Sequence, residues 1–520
     1  MLYLHAFPIP PRACIATRCV PWHRVGPAVC VKRSMLVPML ECLAPSGPVE
    51  WARRVGWFIG LECLCVACFA VLLAVGQPRL AAAVLAGPFQ LLAWCVIAGS
   101  EYAVLLAFAA LAPLISAELL PYAYYAYVLV PSTIGLLVLL RAFGGVQGTS
   151  PTSGQIRTSE RDSLLLLSIW AIASGVIATV RGWGNHDLSM STLLVVEIMA
   201  LVYFFAVVPR SPRDIRVLLY VMLVAMTVVA AWVPTASLSS GDISGKVVVA
   251  PFGEANLNIV ACGLAMAGAA SLGMAARAAR TWPKLLLYGS VLVSVVALVV
   301  TRSRGAWLGF GVAFLYVLVS TRSKGLLILA VAMALALVSS DLTRGFLVSR
   351  AAQTTSKDPS MLGRVVLWYS AWRAAQANWL FGVGMENFRY VKHLYGYPLP
   401  FSLSRPFNAH NLYLELLADL GVVGFGAFFF LFSRAVLSSW RAVRSAANSD
   451  LGLALTAGLI ACAGHGLFES VMFNPGIFAL LGIFMGLGLC VHRLTTDAAS
   501  ESASRTSGRT PKATGSVDVG

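Results

Sequence analysis

Leu326-Leu327-Ile328-Leu329-Ala330-Val331-Ala332-Met333-Ala334-Leu335-Ala336-Leu337-Val338 is an uninterrupted apolar run in which polar and apolar positions do not alternate. A strand of a membrane barrel alternates its faces over ~10 residues, so this run reads as part of a helix in hydrocarbon. Only helices and closed barrels can satisfy every backbone N–H and C=O in lipid. Similar runs recur along most of the chain, which is 58% hydrophobic and only 12% charged. Soluble domains carry about a quarter charged residues, so the expected fold is an all-α polytopic bundle.

Apolar segments near the ~18 residues needed to cross a bilayer fall at 57–76, 80–98, 101–116, 122–140, 164–180, 193–208, 217–233, 257–275, 285–300, 306–319, 325–339, 412–433, 451–468 and 476–492. Several are short, giving about 12–14 spans. An even number puts both termini on one side. With the N-terminus inside, 25 of the 38 Lys and Arg fall in the inner segments, and eight of the other 13 belong to the single loop 340–411. That is the positive-inside pattern. The net charge of +16 is therefore mostly topological and implies no nucleic-acid partner.

The expected organisation is a cytoplasmic N-terminal tail over 1–56, spans over 57–339, a long outer loop over 340–411, spans over 412–492 and a disordered cytoplasmic tail over 493–520. The first 50 residues are rich in Pro, Cys and Arg and do not resemble a signal peptide; Met35 and Met39 are alternative starts. None of the eleven cysteines falls in the outer loop, so no disulfide framework is implied.

The 340–411 loop is far longer than an ordinary connection, and its eight basic residues face only Asp341, Asp358 and Glu386. Such a balance attracts an anionic ligand. Met361 to Asn378 has helical spacing, with Val365, Trp368 and Trp372 along one side and Arg364 beside them. In the apolar strip that follows, from Trp379 to Phe388, Gly382 and Gly384 mark a turn.

Two stretches bring chemistry to the outer boundary. In Thr301-Arg302-Ser303-Arg304-Gly305-Ala306-Trp307-Leu308-Gly309, Arg304 opens a span. A helix N-terminus there favours an anion, and Gly305 permits close backbone approach. Read alone, Arg304 suits either an anionic ligand or headgroup snorkelling. Arg364 suits either a solvated charge or a fork onto phosphate oxygens. In Phe407-Asn408-Ala409-His410-Asn411-Leu412-Tyr413-Leu414-Glu415-Leu416, His410 is suited to proton exchange near neutral pH, or to a hydrogen bond at the helix start. Asn411 or Asn408 caps that helix, and Glu415 stands where it could orient a partner. Asn256, in Pro251-Phe252-Gly253-Glu254-Ala255-Asn256-Leu257-Asn258, introduces another span from the same side. His465 and Glu469 are spaced as an i,i+4 contact. No metal-ligand set or cofactor motif stands out.

Taken in this order, Thr301–Gly309, then Gly363-Arg364 through Trp368 into Leu380-Phe381-Gly382-Val383-Gly384, then His410-Asn411-Leu412-Tyr413 through Leu420-Gly421 resemble the O-antigen ligase and polymerase family of bacterial envelope glycosyltransferases. The similarity covers roughly 250–435. It implies a GT-C-like enzyme of the cytoplasmic (inner) membrane whose active site faces the periplasm. Its donor would be an undecaprenyl-pyrophosphate-linked glycan, and its acceptor a lipid A–core sugar or a growing lipid-linked glycan. By the same resemblance Arg304 and Arg364 bind the donor pyrophosphate and His410 acts on the acceptor hydroxyl. Ser303, Gly305, Asn256, Asn411 and Glu415 are supporting candidates, the reaction inverts the anomeric centre, and neither metal nor cofactor takes part. The rival expectation is a transporter or flippase of an amphipathic anion. Transporters, however, hold their substrates near the midplane, whereas the distinctive polar residues here lie at the boundary.

Overall fold

The computed structural model describes residues 101–116, 157–183, 186–239, 247–250, 253–328, 359–396, 407–445, 448–472 and 474–507. In chain order these form α1 (Glu101–Ser116), α2 (Thr158–Val180), α3 (His186–Val207), α4 (Pro212–Ser239), the hairpin β1 (Val247–Ala250) and β2 (Gly253–Asn256), α5 (Leu257–Arg277), α6 (Thr281–Thr301), α7 (Arg304–Thr321), α8 (Pro359–Ala377), the short α9 (Phe388–Val391), α10 (Leu412–Ala442), α11 (Ser449–Gly466) and α12 (Pro475–Ser507). The fold is an all-α polytopic bundle. Among the described residues seven helices, α2, α4 to α7, α10 and α12, are long and apolar enough to cross a membrane, and α1 and α3 are shorter apolar helices. The expected spans at 57–76, 80–98 and 122–140, and most of 325–339, lie outside the described residues. α12 continues to Ser507, past the boundary drawn at 492.

The centre of the bundle is α5, enclosed by α6, α7 and α11. Its sequence explains the position: alanine, glycine and serine dominate Val260 to Ala275, and small residues let helix backbones approach closely where the lipid itself supplies no hydrophobic drive. A Cβ on Gly273 would lie 2.8 Å from the backbone of Ala454 on α11. Gly309 of α7 meets Ala461 and Gly464 of α11 in the same way. Two ion pairs cross the bundle at the other end of α10 and α11, Arg434 to Glu160 at 2.9 Å and Arg216 to Asp450 at 2.8 Å.

The described part of the 340–411 loop is seated on a break in α10. Gly421 has φ 65° and ψ −172°, which interrupts the hydrogen-bond ladder and orphans the carbonyls of Ala418, Asp419 and Leu420. All three find partners. Ala418 accepts from Val383 N–H and Asp419 from Gly384 N–H, both at 2.9 Å. Leu420 accepts from the Trp170 indole, also at 2.9 Å. In return Val422 N–H donates to Trp379 C=O at 2.7 Å. Trp170 stacks on Phe381 at 4.5 Å, and the Asp419 carboxylate accepts from the backbone N–H groups of Glu386 and Phe388 at 2.9 and 3.0 Å. Non-helical backbone at membrane depth survives only when protein pairs it in this way. Gly382 and Gly384, with φ 70° and 100°, make the expected turn.

Candidate functional site

The site forms where the N-termini of α5, α7 and α10 meet the segment after α11. α6 and α7 are separated only by Arg302 and Ser303; Arg302 closes α6 in the left-handed region at φ 52°. Ser303 then caps α7, its hydroxyl accepting from Ala306 N–H at 3.4 Å. The same hydroxyl donates to the side-chain oxygen of Asn258 on α5. The Asn258 amide donates onward to one carboxylate oxygen of Glu469. The other carboxylate oxygen lies 2.6 Å from Nδ1 of His410. One hydrogen-bonded line thus joins four segments distant in sequence.

His410 is aimed by backbone geometry. Its φ is 50°, a left-handed conformation that costs a non-glycine residue ~1–2 kcal/mol, and such strain concentrates at functional sites. On one side Asn411 caps α10, accepting from Tyr413 and Leu414 N–H at 3.0 Å each, while its amide donates to Leu467 C=O at 3.1 Å. On the other side the Glu415 carboxylate accepts from Ala409 N–H at 2.5 Å. The residues flanking His410 are thereby fixed and its ring is turned to Glu469. Asn411, not Asn408, is the cap. Glu415 steadies the approach to His410 rather than the ring itself.

Burial alone would raise the Glu469 carboxyl, but the hydrogen bond with His410, followed by the charges of His410 and Arg364 among others, holds it below the usual carboxylate range. An ionised carboxylate only accepts, so Nδ1 of His410 carries the hydrogen, which leaves Nε2 as the ring atom able to take up a proton. His410 is partly exposed. The stability linkage follows. A depressed folded-state value makes the contribution of Glu469 complete above the unfolded carboxylate value of about 4.3, and that contribution is lost as pH falls through the lower folded value. Wild type should therefore lose thermal stability more steeply than Glu469→Gln between about pH 5 and 3. Parallel slopes would show that the pair does not form.

Arg364 lies on the packed side of α8, in the i, i+3, i+7 row with buried Leu367 and Ala371, and its charge reaches Glu469. Arg304 is the first residue of α7, adjoining Ser303, and is partly buried. What approaches Gly305 is the protein itself: a Cβ there would meet Phe468 at 3.1 Å and Nδ1 of His465 at 3.3 Å. Asn256 stands one step outside the line. It caps α5, accepting from Asn258 N–H at 3.0 Å. The i,i+4 contact expected of His465 and Glu469 does not form as a hydrogen bond, because α11 ends at Gly466 and Glu469 turns to His410. His465 is fully buried, and neither ring nitrogen has a hydrogen-bond partner among the described residues. Glu469 and Asn258 are the two residues that sequence reasoning did not place in the site. The signal for Glu469 was a carboxylate in an otherwise apolar segment, and nothing in the spacing pointed it at His410.

Chemically, a histidine held by a carboxylate can take a proton, and two arginines and a helix N-terminus can hold an anion beside it. The class is thus a polytopic helical membrane protein with a polar site assembled at helix ends. A family model described as O-antigen ligase matches residues 289–429, a segment that includes Ser303, Arg304, Arg364 and His410. Over that segment the chain is similar to the O-antigen ligase family. No curated protein matches the chain.

Proposed function

We propose that this protein is a membrane glycosyltransferase of the ligase or polymerase type. It moves a glycan from an undecaprenyl-pyrophosphate carrier to an acceptor hydroxyl at the outer face of the bacterial cytoplasmic membrane. The observation that carries the proposal is the His410–Glu469 pair, 2.6 Å across, set among the arginine-bearing ends of α7 and α8. In this scheme the acceptor O–H gives its proton to Nε2 of His410 while its oxygen forms the new bond at the anomeric carbon. Glu469 stabilises the resulting imidazolium, as a carboxylate behind a catalytic histidine does. The bond from the anomeric carbon to the pyrophosphate oxygen breaks, and Arg304 and Arg364 hold the charge that develops on the leaving group. A single displacement inverts the anomeric centre and requires no metal. The positive-inside distribution of Lys and Arg supports an outward-facing site.

The acceptor is assigned by product pattern in a deletion strain. Long lipid-linked chains accumulating without transfer to lipid A–core identify a ligase, and single repeat units in place of chains identify a polymerase. With purified protein, Arg304→Ala and Arg364→Ala should each slow transfer by about 10²–10³-fold, the cost of removing one preorganised charge donor. Near-normal transfer by a well-inserted Arg304→Ala variant would overturn the assignment, and glycan that changes sides without changing linkage would identify a transporter.

A further inference from the structure

At the opposite end of α10 from His410, three helices bring arginines to one place. Arg157 stands at the start of α2, Arg434 and Arg441 near the end of α10, and His492 on α12. α10 packs against both of the others. The guanidinium of Arg157 lies 3.4 Å from Nε2 of His492, and the charges of Arg157, Arg441 and Arg434 all reach that imidazole. Among the described residues the one carboxylate whose charge also reaches it is Glu160, and Arg434 takes that carboxylate with both Nε and Nη2. Other acids of this end are engaged elsewhere, Asp162 with Arg161 at 3.1 Å and Asp450 with Arg216 at 2.8 Å.

Like charges held together raise the energy of the fold unless an anion joins them. The positive-inside pattern asks for Lys and Arg in the flanks; it does not ask three helices to gather them around one imidazole. Apolar surface adjoins the charge. On α10, Phe430, Arg434, Leu437 and Arg441 recur at i, i+4, i+7 and i+11 along one stripe, and Phe430 and Leu437 are exposed. Leu165, about two turns along α2 from Arg157, is exposed as well. A phosphate that carries hydrocarbon chains matches both halves, because arginine forks onto phosphate oxygens and apolar side chains accept the acyl tails. Basic pockets between spans hold anionic headgroups by the same physics. We propose that the junction of α2, α10 and α12 binds the phosphate headgroup of an anionic phospholipid, with Arg157 and Arg441 on the phosphate oxygens and the acyl chains along Phe430 and Leu437. Arg434, locked to Glu160, adds a fixed charge behind them. By the positive-inside pattern the leaflet is the cytoplasmic one. The site rests on the chain spanning a membrane and not on the transfer reaction.

The test is native mass spectrometry of the full-length protein in detergent, titrated with phosphatidylglycerol or with zwitterionic phosphatidylcholine. Phosphatidylglycerol should bind at least about tenfold more tightly, since each arginine near an anionic headgroup is worth about fivefold. Arg157→Gln and Arg441→Gln should each weaken it about fivefold, and the double variant about 25-fold. Arg441→Lys keeps the charge and should lose no more than about twofold. Arg280→Gln removes an exposed arginine from the turn between α5 and α6 and should leave binding within about twofold. Equal weakening by Arg280→Gln would reduce the effect to general surface charge and overturn the site, as would phosphatidylcholine binding equally well. Displacement of the lipid by inorganic phosphate alone would identify a free anion as the ligand and likewise overturn the proposal. Arg157 and Arg441 are exposed, so the variants should fold, and an unchanged melting temperature without added lipid confirms it. The readout needs no activity, so failure of the proposed transfer reaction would leave it intact.

Discussion

His410→Ala should slow glycan transfer by about 10²–10⁴-fold, the range that general acid–base catalysis contributes. The variant should melt at a lower temperature, because buried Glu469 loses its partner. It should still insert and fold, since the left-handed backbone at φ 50° is held by neighbours that remain. Asn411 still caps α10 and Glu415 still binds Ala409 N–H. What is lost is the lone pair on Nε2 and the cation that Glu469 is set to stabilise. The check is a single-turnover assay in nanodiscs with lipid-linked donor and acceptor, alongside a thermal-shift measurement. A rate within a few-fold of wild type would remove His410 from the chemistry. A variant that is slow only because it is misfolded would betray itself by the loss of a cooperative melting transition. His410→Gln, which can donate a hydrogen bond to Glu469 but cannot serve as a base near pH 7, should remain as slow as alanine. Recovery with glutamine would mean that the histidine positions the acceptor and takes no proton.

Gly421→Val should abolish or greatly reduce recovery of folded protein. The backbone there is left-handed, and a Cβ would run into the carbonyl of Leu380. Across the same contact a Cβ on Gly382 would strike Asp419, so neither backbone can yield without breaking the hydrogen bonds that link the two strips. A β-branched residue in that conformation costs ~1–3 kcal/mol for strain alone. Overpacking adds about 1–3 kcal/mol, and the carbonyls of Ala418 and Asp419 lose their partners besides. The control is in the same helix. Gly426 has open space around its missing Cβ, so Gly426→Ala should be neutral or stabilising by up to about 1 kcal/mol. Size-exclusion yield and melting temperature of the two variants decide the matter. Similar behaviour of both would mean that the loop is not anchored at the break in α10.

Much of this was legible in the chain. Apolar runs such as that over 285–300 dictated helices, and glycine at 382 and 384 dictated the turn. α7 begins at Arg304 and α10 just after His410, the latter with the expected Asn411 cap, because Ser303 and Asn411 carry short side chains that reach back to free N–H groups. The stripe of Val365 and Trp372 was visible as a helical spacing. Whether it faced protein or the outside was not, since periodicity gives a face and no direction. Gly305 was expected to admit a ligand and is instead overlaid by His465 and Phe468. A glycine signals close approach without naming what approaches.

Sequence by itself determined the class of fold, the helix starts, the family segment and the residue types able to bind an anion or exchange a proton, because each depends on neighbours within a few positions. Tertiary structure alone decided that Glu469, 59 positions beyond His410, is its partner, and that Asn258 and Ser303 extend the line behind it. It also decided that the break at Gly421 seats the loop carrying Arg364. Those contacts arise where helix ends meet, and the ends meet where small residues let α5, α7 and α11 pack backbone to backbone, a choice set by three-dimensional fit and written in no single local pattern.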